Sequence, residues 1–343
     1  MNFSKALIVA EIGINHNGDM DLAEDMIRAA AGAGADAVKF QNYSTEDFLA
    51  DRALTYTYSS QGREICESQF EMFKRCEITS TAIRRLKKCC DSVGVQFFST
   101  PTSSRGVEQL AAVEAPWIKN GSDYLGHLPL IRSMAKSGIP TILSTGMATE
   151  EEILEAVEAF RSAGGTNLVL LACTSAYPTQ PEHLNLRRIP ALAEKFKCAA
   201  GLSDHSKGWE AAVAAVCVGA SMVEKHFTLD QNLPGPDHAF SSTPDELLEL
   251  VRRVRQAEIM LGSSCLQPNA AEIQSREGFR LSCTTARNLL AGACLQQEDI
   301  LFQRPATGIP PKSIHLILGR TLLKDMPKGA PLNLTDFDCN LDK

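Results

Sequence analysis

The chain has 343 residues, 44% apolar and 22% charged, with a formal net charge of −7 at pH 7. That length supports one or two domains around a large core, and the composition is that of an ordinary globular protein. The acidic balance excludes general nucleic-acid binding, which needs a basic face, but leaves room for a lysine cluster that binds an anionic small molecule. The apolar run at 6–10 is broken by Glu11 and is too short for a signal peptide. No run reaches the roughly 18 apolar residues that cross a bilayer, so neither membrane nor nucleic acid is expected as a partner. Eleven cysteines are scattered without a CxxC pair, as expected of reduced thiols, and the expected location is cytoplasmic.

In chain order, β-like runs fall at 7–10, 37–41, 96–99, 117–119, 141–144, 168–173, 198–202 and 222–227. Helix-like runs such as 22–33, 81–93, 150–163 and 210–218 lie between them, and a last helix is predicted over 244–262. Strands that alternate with helices in this number predict a (β/α)8 TIM barrel over 1–262. A doubly wound open sheet is the structural alternative, although no GxGxxG follows any strand to support its dinucleotide-binding version. The segment 42–80, polar and aromatic with Tyr56 and Tyr58, interrupts the rhythm. It is predicted to fold over the barrel mouth or to pack on a partner. Residues 263–285 read as a linker, and 286–343 as a small β-rich domain punctuated by Pro and Gly.

A barrel of this kind builds its site where the strands end. In order those ends carry Glu11, Lys39 with Gln41, Thr100, Lys119 with Ser122, Ser144, Ser175 with Tyr177, His205 after Ser203, and Glu224 with His226. Alternation in AVKFQ places Lys39 and Gln41 on one side of their strand and Phe40 on the other. Lysines rarely sit in apolar core, so Lys39 and Lys119 read as pore-lining cations, against the plainer reading of snorkelling side chains. With the hydroxyls of Thr100, Ser122 and Ser144 they suit a phosphate or carboxylate. One of them could instead form a Schiff base. His205 and His226, at the ends of successive strands, read as ligands of an open divalent-metal site. Asp237, in PGPD, reads as a sugar or metal-water contact or as a turn-forming aspartate. Glu11 reads as a base, as support for the metal, or as a loop carboxylate; His16 is expected to be structural or on the rim, and His238 is unassigned.

These segments resemble the sialic acid synthase family: AEIGINHNG from Ala10, AVKFQ from Ala37, FFSTP from Phe97, ILSTGM from Ile142, YPTQPEHLNL from Tyr177, GLSDHS from Gly201, EKHFTLD from Glu224 and PGPDHAF from Pro234. QRPATGIPP, from Gln303, resembles the family's antifreeze-like (β-clip) domain, and the likeness covers essentially the whole chain. The resemblance implies a TIM barrel plus an antifreeze-like capping domain, in a domain-swapped homodimer where each small domain caps the partner's barrel. It implies condensation of phosphoenolpyruvate with an N-acylmannosamine sugar to give N-acetylneuraminate or a related nonulosonate. A legionaminic or pseudaminic acid synthase, using a 2,4-diacetamido-2,4,6-trideoxy sugar, is the alternative.

Position by position, the resemblance makes Lys39, Thr100, Lys119, Ser122 and Ser144 the phosphoenolpyruvate pocket, and Glu11 the acid/base. It makes His205 and His226 ligands of Mn²⁺, with Mg²⁺ or Co²⁺ as alternatives. Gln41, Tyr177 and Asp237 become sugar contacts, and Arg304 reaches the neighbouring subunit's N-acyl site. The chain departs from the family at three places. Tyr124 stands where an acidic residue is usual, with Asp123 beside it as a substitute. Ser175 replaces a frequent Asn, and the capping domain is short around 290–295. A Schiff-base aldolase and a non-catalytic sugar-binding relative are the competing functions, the latter motivated by Tyr124 and the short cap.

Overall fold

Residues 4–338 are described by a computed structural model and form two compact units, divided after Gly262. The first carries strands β1 (Leu7–Gly13), β2 (Ala37–Asn42), β3 (Thr55–Ser60), β4 (Arg63–Ser68), β5 (Gln96–Pro101), β6 (Ile118–Asn120), β7 (Thr141–Ser144), β8 (Leu168–Cys173), β9 (Ala199–Asp204) and β10 (Met222–His226). Eight of them close into a parallel barrel in the order β1-β10-β9-β8-β7-β6-β5-β2, and β2 pairs back onto β1. The doubly wound alternative is thereby overturned, because the sheet has no open edge. β3 and β4 pair as an antiparallel hairpin outside the barrel.

Why these runs become barrel strands is legible in their burial. Parallel strands covered by helices are apolar on both faces, and β8, LVLLAC, is buried along its whole length. Period two then sorts the side chains. Val9, Ala37, Phe98, Ile142, Val169, Leu171 and Met222 form one cluster, the plug of the barrel. Their strand neighbours Ile8, Ala10, Val38, Phe97, Leu143, Leu170 and Val223 join the larger core against the helices. Continuing the inward series toward the strand ends brings in Glu11, Lys39, Thr100, Ser144, Cys173, Ser203 and Glu224.

The helices start where the chain supplies a cap. Thr149 and Thr243 form capping boxes with Glu152 and Glu246, and Pro244 occupies the first turn of Pro244–Leu261. Gly94 ends Ser80–Val93 in the left-handed conformation, φ 74°, where a side chain would be strained. Gly201 answers a different demand, since a Cβ there would lie 2.3 Å from the Met222 carbonyl oxygen on β10. β10 therefore approaches β9 too closely for any side chain at this position. Among the described residues no helix is long and apolar enough to cross a membrane.

The second unit, described to residue 338, holds β11 (Ser282–Thr285) antiparallel to β12 (Ile300–Gln303). Its core gathers Cys283, Leu289, Leu295, Ile317, Leu322 and Phe337. The linker expected over 263–285 is shorter than the sequence suggests, because 273–279 is helical and 282–285 is a core strand. SCTT lacks the apolar look of a strand, yet it is buried because its hydroxyls are satisfied. Ser282 Oγ donates to the Pro305 carbonyl at 2.7 Å and Thr284 Oγ1 to Gln303 Oε1 at 2.7 Å. Among the described residues of this unit, regular β structure is confined to that pair and a few isolated bridges.

Candidate active site

At the C-terminal ends of the barrel strands lies a cavity of about 530 Å³. Its floor is a chain of buried charges. Lys39 Nζ is 2.6 Å from Glu11 Oε2, its strand-pairing neighbour on β1, and 3.9 Å from Glu224 Oε2. Lys119 Nζ donates to Glu224 Oε1 at 2.5 Å, and Ser203 Oγ donates to the same oxygen at 3.1 Å. Lys39 also donates to Thr100 Oγ1 at 3.2 Å, and Gln41 Nε2 donates to Glu11 Oε1 at 3.3 Å. Gln41 thus shares the Lys39 side of β2, as alternation requires.

The two carboxylates differ in character although they share the same lysines. Burial pushes Glu11 up to about 7, with the Lys39 ammonium opposing it. Burial acts on Glu224 as well, but Lys119 and Lys39 together outweigh it and bring Glu224 down to about 2. Glu224 is therefore the fixed anion of the floor, and Glu11 the carboxyl that exchanges a proton near neutrality. Burial opposes the charge of Lys119, yet Glu224 and Glu11 outweigh it and the net shift is upward. A protonated ammonium is not a nucleophile, which weighs against Schiff-base chemistry at Lys119.

One wall is a cradle for oxygens. Ser122 Oγ accepts from the Gly146 backbone N–H at 3.0 Å, while the buried Ser144 Oγ has no partner. A Cβ on Gly146 would lie 2.5 Å from Ser175 Oγ and 2.7 Å from Ser122 Oγ, so only glycine leaves this recess open. Cys173 Sγ shares the recess, 3.9 Å from His205 Nδ1. Burial opposes ionisation of this thiol, but His205 and Lys119 bring it down to about 6.

The adjoining wall carries the imidazoles. The rings of His205 and His226 are 5.4 Å apart, and Tyr177 packs on His205 at 4.1 Å between ring centres. Phe240 stands 5.1 Å from His226, so aromatic contacts hold both rings in place. Among the described residues no three His, Cys, Asp or Glu side chains form a metal-holding group. The pair nonetheless fits an ion that takes its remaining ligands from water and substrate. Buried His226 Nδ1 has no hydrogen-bond partner, and burial, then the His205 charge, keep this ring well below its usual range, hence neutral. Asp237 Oδ2 lies 3.8 Å from that nitrogen, and burial pushes Asp237 up to about 6.

The mouth is completed by the segment between β2 and β5, which places Tyr56, Gln69, Met72 and Phe73 on the cavity. The hairpin is tied to the loop after β10. Ser60 Oγ accepts from the Gly235 N–H at 3.3 Å, and Gln61 Nε2 donates to the Asn232 carbonyl at 2.9 Å.

The structure thus brings together Glu11, Lys39, Gln41, Thr100, Lys119, Ser122, Asp123, Tyr124, Ser144, Ser175, Tyr177, Ser203, His205, His226 and Asp237 on one cavity. Arg304 lies outside this group, in the second unit, where its guanidinium sits 5.2 Å over the Phe279 ring. His16 is fully buried and accepts from the Gly18 N–H, in agreement with a structural role, and His238 likewise pairs with Thr228 Oγ1 at 2.7 Å. Glu224, Cys173 and Met72 are among the lining residues that escaped the site reading. Glu224 stood at a strand end without a role, although EKH puts it two residues before His226 on the same face. Cys173 follows Val169 and Leu171 in the inward series, so alternation would have found it. Met72 carries no local signal, because only the fold of the long insertion delivers it to the mouth.

With the barrel and its charged floor established, comparison with known proteins gives the family. Residues 26–265 match the NeuB family, and residues 282–338 match the SAF domain, the antifreeze-like module. The chain belongs to the NeuB family. It is similar to the N,N'-diacetyllegionaminic acid synthase of Legionella pneumophila, with 36% identity over 95% of this chain and 92% of the relative. It is also similar to the human N-acetylneuraminate-9-phosphate synthase, with 34% identity over 92% of this chain and 88% of the relative. Among solved structures, the N-acetylneuraminic acid synthetase of Leptospira borgpetersenii, in complex with citrate, matches with a TM-score of 0.71 and 33% identity, covering 79% of this chain and 90% of that one.

Proposed function

We propose that this protein condenses phosphoenolpyruvate with an N-acylated amino sugar and water, giving a nonulosonic acid of the sialic type and inorganic phosphate. The observation that carries the reading is the chain Glu11–Lys39–Glu224–Lys119, set beside two imidazoles at a barrel mouth. The relatives named as legionaminic acid and N-acetylneuraminate-9-phosphate synthases support the reaction class.

Lys39 and Lys119 hold the carboxylate and phosphate of phosphoenolpyruvate, aided by Thr100, Ser122, Ser144 and the Gly146 recess. Ser175, Tyr177, Ser203, Gln41, Asp123, Tyr124 and Asp237 surround the acceptor. C3 of phosphoenolpyruvate attacks the acceptor's aldehyde carbon, and the aldehyde oxygen takes a proton as positive charge develops at C2. Water adds at C2 and gives up a proton. The C2–O bond to phosphate then breaks while the new C2 hydroxyl passes its proton to the departing phosphate, leaving a 2-keto acid. Glu11, with a proton affinity near neutrality, is the group that moves protons here, and Gln41 orients its carboxyl. Glu224 favours the charged form of Lys119 and directs that side chain into the cavity. His205 and His226 would hold a divalent ion such as Mn²⁺, which when bound supplies Lewis-acid polarisation of the aldehyde. We also propose a homodimer in which the second unit caps the partner's barrel and Arg304 meets the N-acyl group.

The test is release of inorganic phosphate from phosphoenolpyruvate by the full chain with Mn²⁺ and a candidate amino sugar. Release that needs both sugar and metal supports the reading. Release without any sugar, or trapping of the enzyme by borohydride, overturns it.

A further inference from the structure

Each of the two imidazoles follows one member of a buried ion pair. Asp204 precedes His205, and Lys225 precedes His226. In the register of β9 and β10, Lys225 stands opposite Asp204 and Glu224 opposite Ser203. Ser203 and Glu224 line the cavity, so alternation turns Asp204 and Lys225 away from it. Their side chains are enclosed there, 0% and 2% exposed.

Lys225 Nζ donates to Asp204 Oδ2 at 2.8 Å and to the Ser206 carbonyl. Asp204 Oδ1 accepts from the Ser206 N–H at 2.8 Å and from Ser206 Oγ at 2.6 Å. The network therefore grips the chain on both sides of His205. The ring of His205 is held separately, with Nδ1 2.9 Å from the Thr174 carbonyl. A carbonyl only accepts, so Nδ1 carries the proton and Nε2 is left as the ligand nitrogen. Nothing in the condensation uses Lys225 or Asp204, and stability does not account for them either. A buried ion pair gains little over apolar side chains of similar volume. What the pair specifies is register. A slip of one residue between β9 and β10 would break the contacts of Lys225 and exchange inward and outward faces, taking an imidazole out of the cavity.

We infer that Lys225 and Asp204 are positioning residues for the metal site, fixing His205 and His226 side by side without touching the ion. This rests on the metal assignment within the condensation reading above.

The experiment compares the full chain with Lys225→Met and with the double variant Asp204→Asn/Lys225→Met, which buries neither charge. Calorimetry measures Mn²⁺ binding and, in metal-free protein, phosphoenolpyruvate binding, while circular dichroism follows the fold. Both variants should bind Mn²⁺ at least about tenfold more weakly. The paramagnetic resonance spectrum of the bound ion should change, and phosphoenolpyruvate affinity and circular dichroism should not. Wild-type Mn²⁺ affinity in the double variant overturns the inference. So does an equal weakening of both ligands, or failure of both variants to fold, since either makes the pair a general support of the barrel. In all these cases a wild type that binds Mn²⁺ and releases phosphate leaves the condensation reading intact. A wild type that binds no Mn²⁺ overturns the metal assignment, and the inference falls with it.

Discussion

Lys119 and Glu224 face each other across the barrel floor with Nζ and Oε1 2.5 Å apart, both side chains almost wholly buried. The pair joins β6 to β10, which are not neighbours in the sheet, so it ties opposite sides of the barrel through its interior. Removing one member of a buried pair leaves a charge without compensation, which costs far more than the pair contributes net. Glu224→Gln should therefore lower the melting temperature of the ligand-free protein by at least about 5 °C. Phosphoenolpyruvate should restore part of the loss, because its anion replaces the missing charge. A variant that melts like the wild type would show that Glu224 does not hold the lysines in place.

Glu11 gives a pH dependence with a definite sign. Its folded-state affinity for protons is raised to about 7 from an ordinary value of 4.5, so the folded protein keeps a proton that the unfolded chain releases. Its contribution to stability is complete below pH 4.5 and is lost as pH rises through 7. Denaturant midpoints of wild type and Glu11→Gln, measured between pH 5 and 8, should diverge, with the variant lacking this decline. Parallel profiles would contradict the assignment of Glu11 as the group titrating near neutrality.

The recess beside Ser122, Ser144 and Ser175 exists only because residue 146 is glycine. In Gly146→Ala the new methyl group would lie 2.5 Å from Ser175 Oγ and 2.7 Å from Ser122 Oγ. The KM for phosphoenolpyruvate should rise by about tenfold or more, while the melting temperature changes little. A KM effect confined to the sugar would move the phosphoenolpyruvate site elsewhere in the cavity.

The imidazole pair predicts the response to metal removal. Chelation should abolish phosphate release, and Mn²⁺ should restore it. His226→Ala should bind Mn²⁺ at least about tenfold more weakly by calorimetry, with its circular dichroism unchanged. Full activity in chelated wild-type protein would defeat the metal assignment.

Much of this architecture is legible in the sequence, for reasons that differ between regions. The barrel strands announce themselves because burial on both faces forces uninterrupted apolar runs such as LVLLAC. Inward polar residues are legible where a charged side chain interrupts such a run, as Lys39 does in AVKFQ. Cys173 and Glu224 are not marked in that way. A cysteine at a strand end reads as core, and a glutamate beside two basic residues reads as a local ion pair. Glu224 instead contacts Lys119, which is 105 residues away, and only barrel closure brings the two together. SCTT at 282–285 misleads for the opposite reason, since hydroxyls that suggest a linker are buried against backbone carbonyls. Tyr56 reaches the mouth on the insertion expected to fold over it, whereas Met72 arrives on the short helix Gln69–Arg75, which no local pattern marks as site-lining.

The most direct test of the condensation chemistry follows one oxygen atom. Phosphoenolpyruvate labelled with ¹⁸O at the oxygen bridging C2 and phosphorus is turned over with Mn²⁺ and the accepted sugar, and both products are weighed by mass spectrometry. Attack through C3, water addition at C2 and cleavage of the C2–O bond predict that the label leaves with inorganic phosphate. The 2-keto acid then carries an unlabelled oxygen, taken from water. Label retained in the keto acid would mean cleavage between phosphorus and oxygen, and would contradict the account.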